Sequence, residues 1–267
     1  MPPLPVDRLE PRAGRRPVRP AAALGFGVAL LAIAGVLYAR HVGASRRAAV
    51  AAATLSASVA RGDAVLRVPH ASGGITLDGD TDDPGWLRPP GPARTGDFLF
   101  ENGQPARPYS EARLVWGGDY LYVALYASDE DIESHADAPD GPVGLEDAFR
   151  IVFSQPGVEY AIDVSPRAVI SDSIRRSDGE WDFSWSSGAH ASKEIDGTVN
   201  DPKNMDEEWA IELAIPFESL GMKGEPGETI GMSLHRCDIP KRSARVCSGW
   251  GERQGGSGRI VLEQLAR

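Results

Sequence analysis

Between Arg113 and Leu262 short segments alternate apolar and polar residues at a period of two, which turns one face of a β-strand inward. Tyr120 to Ala127 shows it best, with Leu121, Val123 and Leu125 on one side and Tyr120, Tyr122 and Tyr126 on the other. Gly117-Gly118-Asp119 separates this run from Arg113–Trp116 and predicts a hairpin, since glycine supplies the positive φ of tight turns. Ala148–Phe153 and Val158–Val164 predict a second hairpin around Gln155-Pro156-Gly157. Val169–Ile174, Ala189–Ile195, Trp209–Ile215, Thr229–Cys237 and Arg259–Leu262 complete a set of short segments divided by Gly, Pro, Asp and Asn. Only Pro216–Leu220 reads as helical here, one turn ended by Gly221. Many short strands without interleaved long helices predict an all-β fold, an antiparallel β-sandwich over residues 65–267.

The N-terminal part has a different pattern. Ala21 to Ala39 is uncharged, and its length as a helix, roughly 28 Å, approaches the hydrocarbon thickness of a bilayer. Five arginines from Arg8 to Arg19 precede it, and Arg40, Arg46 and Arg47 come after. The bias predicts a basic cytoplasmic tail (1–19), a hydrophobic helix over 20–40, an Ala-rich spacer (41–64) and export of the domain beyond it. The helix is read as a transmembrane anchor in the bacterial membrane. A signal segment is the alternative, since Val42-Gly43-Ala44 and Ser58-Val59-Ala60 both resemble cleavage sites. Either way the domain lies in the periplasm or at the cell surface, or is secreted.

Charge sharpens that division. Residues 1–70 hold ten arginines against three acidic residues, whereas residues 71–267 hold 18 basic against 35 acidic, a net −17. So acidic a domain repels phosphate backbones, which excludes nucleic acid as its expected partner. Cys237 and Cys247, the two cysteines of the chain, flank a turn-like Ile239–Ser243 stretch. A disulfide across a hairpin and two unpaired thiols are both open.

Several phrases come in a constraining order: Ile75-Thr76-Leu77-Asp78-Gly79-Asp80, Asp83-Pro84-Gly85-Trp86, Ala112–Trp116, Tyr120–Ala124, Ser128–Asp131, Glu146–Phe153, Glu208–Pro216 and Gly258–Leu262. Their succession resembles the family 9 carbohydrate-binding modules. The resemblance implies a non-catalytic sugar-binding β-sandwich with a glycan ligand, at most an accessory of glycoside hydrolysis in carbohydrate catabolism. Sugar binders of that family clamp a ring between two tryptophans. The late one matches Trp250; the early one falls around Gly144, where this chain has no aromatic, and the acidic residue of the adjoining strand is Arg150 here.

Candidate ligand-binding residues come from the places where aromatics lack an obvious core. Trp181 and Trp185 sit in the polar Gly179–Gly188 stretch, and Trp250 in Ser248-Gly249-Trp250-Gly251. A sugar site stacks such rings on the apolar face of a pyranose and hydrogen-bonds its hydroxyls through planar polar groups. Arg236 and Asp238, ending the strand that leads toward Trp250, are expected to supply those contacts. Trp86, Trp116 and Trp209 read as core. Asp78, Asp80 and Asp82 have the spacing of a calcium loop, so a structural calcium is one expectation. The segment lacks the acidic twelfth position of an EF-hand, and a turn that seats Trp86 is the alternative.

Catalytic patterns are weak. Glu130/Asp131 and Glu207/Glu208 are expected by chance in an acidic domain, and no GxSxG marks a nucleophile. Two further classes remain. One is an exported haem-binding electron-transfer domain using Met205, Met222 or Met232 with His190 or His235. The other is a protein-binding surface scaffold on the same sandwich.

Overall fold

A computed structural model describes residues 64–264 apart from 178, 242, 243, 254 and 255. The expected N-terminal helix, with the tail and spacer, lies outside the described residues. Among those described, no helix is long and apolar enough to cross a membrane.

The strands in chain order are β1 (Val65–Val68), β2 (Ala93–Arg94), β3 (Ser110–Gly117), β4 (Tyr120–Ser128), β5 (Ala148–Gln155), β6 (Val158–Val164) and β7 (Ile170–Arg176), then β8 (His190–Asp196), β9 (Glu208–Pro216), β10 (Thr229–Asp238), β11 (Val246–Trp250), β12 (Glu252–Arg253), β13 (Gly256–Ser257) and β14 (Arg259–Leu262). They form two main sheets. The first has the order β1-β14-β10-β5-β6-β7, with β11 on the edge of β10; the second is β2-β3-β4-β9-β8; β12 and β13 pair separately. The pairing is antiparallel except that β1 runs parallel to β14. Pro216–Leu220 becomes a 3₁₀ turn at Glu218–Leu220, closed by Gly221 at φ 65°. One short helix, Pro84–Leu87, precedes β2.

Alternation explains the core. In the second sheet Leu121, Val123 and Leu125 of β4 and Trp209, Ile211, Leu213 and Ile215 of β9 are fully buried. They meet Phe149, Ile151 and Phe153 of β5, Ile162 and Val164 of β6, and Met232 and Leu234 of β10 from the first sheet. Dozens of such side chains at about 1.5–3 kcal/mol each supply the main driving force for closing the two sheets.

The outer faces of the two sheets differ. On the second sheet the segment before β2 packs down as a cover, with Trp86 against Val115 and Ala124. The buried Glu212 of β9 accepts bonds from the Trp86 indole at 2.8 Å and from the backbone N–H groups of Asp78 and Gly79 at 3.1 and 3.0 Å. Glycine is required at 79: its φ is 103°, and a Cβ would come within 2.3 Å of the Lys193 backbone. The first sheet keeps a hollow on its outer face.

Candidate functional site

Strand parity decides which side chains reach that hollow. On β10 the inward set is Met232, Leu234, Arg236 and Asp238, and the outward set includes His235 and Cys237. The neighbouring registers carry the outward row across the sheet: His235 opposes Arg150, and Arg150 opposes Asp163. Two rows along, past Val152 opposite Ala161, Ser154 opposes Glu159, which opposes Arg175. Residues opposed on one face of an antiparallel pair are close enough to interact.

The hollow holds about 460 Å³, within the size of a small-ligand pocket. Gly144, Ala148, Arg150 and Val152 line it from β5 and the turn before it; Glu159, Asp163 and Arg175 line it from β6 and β7. His235, the Cys237–Cys247 pair, Arg245 and Trp181 complete it. The two cysteines are joined, so the disulfide alternative holds. Arg150 reaches Asp163 at 3.1 Å, and Arg175 pairs with Glu159 through Nε at 2.8 Å and through Nη2. Burial pushes the Asp163 carboxyl up, against the pull of Arg150 and Arg245. Trp181 lies within reach of both pairs, its ring centroid 5.3 Å from the Arg150 guanidinium carbon and 4.8 Å from that of Arg175. These cation–π contacts fix the orientation of the indole. A second hollow, of about 550 Å³ beside Gly221, Met222 and Gly231, is lined by no aromatic ring.

Of the three loop tryptophans, then, the structure brings Trp181 alone into the hollow. Trp185 leans on Tyr160 (centroids 5.4 Å apart) and packs against the main core. Trp250 lies opposite the buried Leu234 in the β10–β11 register, so it faces inward and also packs on the core.

Arg236 and Asp238 require a correction. Both are buried, at 2 and 5% exposure, and neither lines the hollow. Arg236 Nη2 bonds Asp238 at 2.7 Å and Asp129 at 2.8 Å, and Trp209 Nε1 also donates to Asp129. Asp147 sits in the same cluster, accepting from the backbone N–H groups of Glu133 and Ile239 at 2.7 Å each. All four charged groups continue the inward parity of their strands past the last apolar residue. Burial and the Asp129 charge push Asp147 up to about 8; burial, opposed by Arg236, pushes Asp238 up to about 6.

Asp78, Asp80 and Asp82 are exposed, and Asp78 accepts from the N–H of Asp80 at 3.1 Å. Among the described residues, the one place where three metal-capable side chains converge is Asp129, Asp147 and Asp238, where Arg236 already compensates charge. The haem set is dispersed. Met222 and Met232 are buried in the core, Met205 is 70% exposed, His190 is on β8 and His235 is in the hollow.

Sequence reasoning missed His235, Glu159, Asp163, Arg175 and Arg245 as members of one site. The signal was present as charged residues at outward positions of consecutive strands, but it becomes readable only when the registers are known.

No protein-family model matches the chain, and no curated protein matches it. Solved structures do. A Bacteroides uniformis ATCC 8492 protein proposed to bind carbohydrate superposes with a TM-score of 0.60 at 13% identity, over 75% of this chain and 100% of that one. A family 9 carbohydrate-binding module from Caldicellulosiruptor kristjanssonii, in complex with cellotriose, superposes with a TM-score of 0.52 at 14% identity, over 76% of this chain and 95% of that one. The fold expected from the dispersed phrases is therefore the fold the structure has.

Proposed function

We propose that this chain is a non-catalytic carbohydrate-binding module, exported and tethered to the membrane, that holds a glycan in the hollow of the first sheet. The observation that carries the reading is Trp181 held beside a row of planar and charged groups on one sheet face. An aromatic ring next to fixed hydrogen-bonding side chains is the composition a pyranose requires. The structural relative solved with cellotriose supports the same ligand class. A binding rather than hydrolytic role is supported by the pairing of both carboxylates of the hollow, Asp163 with Arg150 and Glu159 with Arg175. The disulfide supports an oxidising compartment, and the run from Ala21 to Ala39 supports the tether.

Glycan-array screening and then calorimetry test the proposal. Trp181→Ala should weaken binding by more than about 1 kcal/mol. Trp185→Ala and Trp250→Ala should lower stability while the folded fraction binds as before. Binding that survives Trp181→Ala would move the site elsewhere; binding to no glycan at all would favour a protein-binding scaffold.

A further inference from the structure

We infer that the hollow selects acidic sugar units, those carrying a carboxylate or a sulfate ester, and that Arg245 reads the negative group. This inference rests on the glycan reading above and concerns the ligand class of the same hollow.

Three guanidinium groups line the hollow against two carboxylates. Arg150 is matched to Asp163 and Arg175 to Glu159, both directly across strand registers. Arg245 is left over. Among the described residues it makes no hydrogen bond or ion pair, and its charge acts on Asp163 from a distance. The group is exposed, so holding it there costs little, and it stands two residues from Cys247. Cys247 is fastened to Cys237, directly across from it on β10, so the chain that presents Arg245 is tied to the floor of the hollow.

A neutral pyranose would meet the sheet face and the indole but leave this cation unanswered. A carboxylate or sulfate ester on the ring supplies the bidentate partner that a guanidinium prefers. The net −17 of residues 71–267 does not cancel the effect. At physiological ionic strength exposed charges beyond about 8 Å are largely screened, so the local excess of one positive charge decides the contact. That excess is unusual in a domain with nearly twice as many acidic as basic residues.

The test is calorimetry on the whole chain with three matched oligosaccharide sets: oligogalacturonides, sulfated galacto-oligosaccharides and neutral galacto-oligosaccharides. At least one acidic set should bind about tenfold or more tightly than the neutral set, the size of one charge-assisted contact. Arg245→Gln should remove that preference while leaving the melting temperature unchanged. Which acidic set responds distinguishes carboxylate from sulfate. Equal or tighter binding of the neutral set, or a preference that survives Arg245→Gln, overturns the inference while the glycan reading stands. Binding of none of the three, together with a blank glycan array, overturns both.

Discussion

His235 and Arg236 are neighbours in the chain and point into opposite surroundings, one toward the hollow and the other into the core. That single step accounts for the main error of sequence reading at the site, because β parity flips every side chain with a shift of one residue. Arginine and aspartate at a strand end look like surface ligand groups; nothing in the local sequence reveals that Asp129 and Asp147 wait inside to receive them. The cluster makes two predictions. Arg236→Ala strands buried carboxylates and should cost about 3–5 kcal/mol in chemical denaturation; a loss under about 1 kcal/mol would show the cluster to be hydrated. The second concerns pH. Asp147 at about 8 and Asp238 at about 6 hold their protons in the folded state well above the ordinary 3.8. The unfolded chain gives those protons up near its ordinary value, so stability that is complete below about pH 4 drains away as pH rises through about 6 and then about 8. The melting temperature should therefore fall between about pH 5 and about pH 8.5, and Asp238→Asn, which keeps an oxygen for Arg236, should flatten the slope. A profile that rises over that range contradicts the assignment.

The elements were legible where they were long and buried on one side. β4, β5, β6, β9 and β10 emerge from alternation and turn glycines to within a residue or two of the observed ends. β2 has two residues and β11 reads Val-Cys-Ser-Gly-Trp, with small polar residues at its centre, so neither carries a period that sequence can register. β11 exists because a cross-strand disulfide and the β10 edge hold it. Closing a loop of ten residues should contribute about 2–3 kcal/mol, so Cys237→Ser with Cys247→Ser should lower stability by that amount, measured by denaturant titration. Thiol labelling of the native protein without reductant should find neither cysteine reactive. The Asp78–Asp82 turn is an element of another kind, held by Glu212, by the packing of Trp86 and by the Asp78 carboxylate, which accepts from the N–H of Asp80. With those contacts in place, adding EDTA should leave the melting temperature unchanged; a clear drop would reveal a calcium ion that the turn needs.

At the scale of the whole molecule, sequence order was enough for the architecture and not for the site. Dispersed phrases such as Asp83–Trp86 and Glu146-Asp147 encode how the cover docks and how loops are pinned by buried acids, so they report the fold. A ligand hollow is assembled instead from single residues on several strands and loops, and no phrase spans them. An acidic sandwich with an oxidised cysteine pair comes after a basic, proline-rich stretch and nineteen uncharged residues. Five arginines (Arg8 to Arg19) precede the run and three (Arg40, Arg46 and Arg47) come just after it, a bias that favours keeping that end in the cytoplasm and passing the acidic part outward. If Ala21–Ala39 is the tether, the protein should stay with the membrane fraction through a carbonate wash and leave it only with detergent. Protease added outside the inner membrane should cut the spacer and release a sandwich that still binds its glycan. N-terminal sequencing discriminates the alternative: a mature chain beginning at Ser45 or Arg61 would mean that the segment is a cleaved signal, and the module would then act unattached.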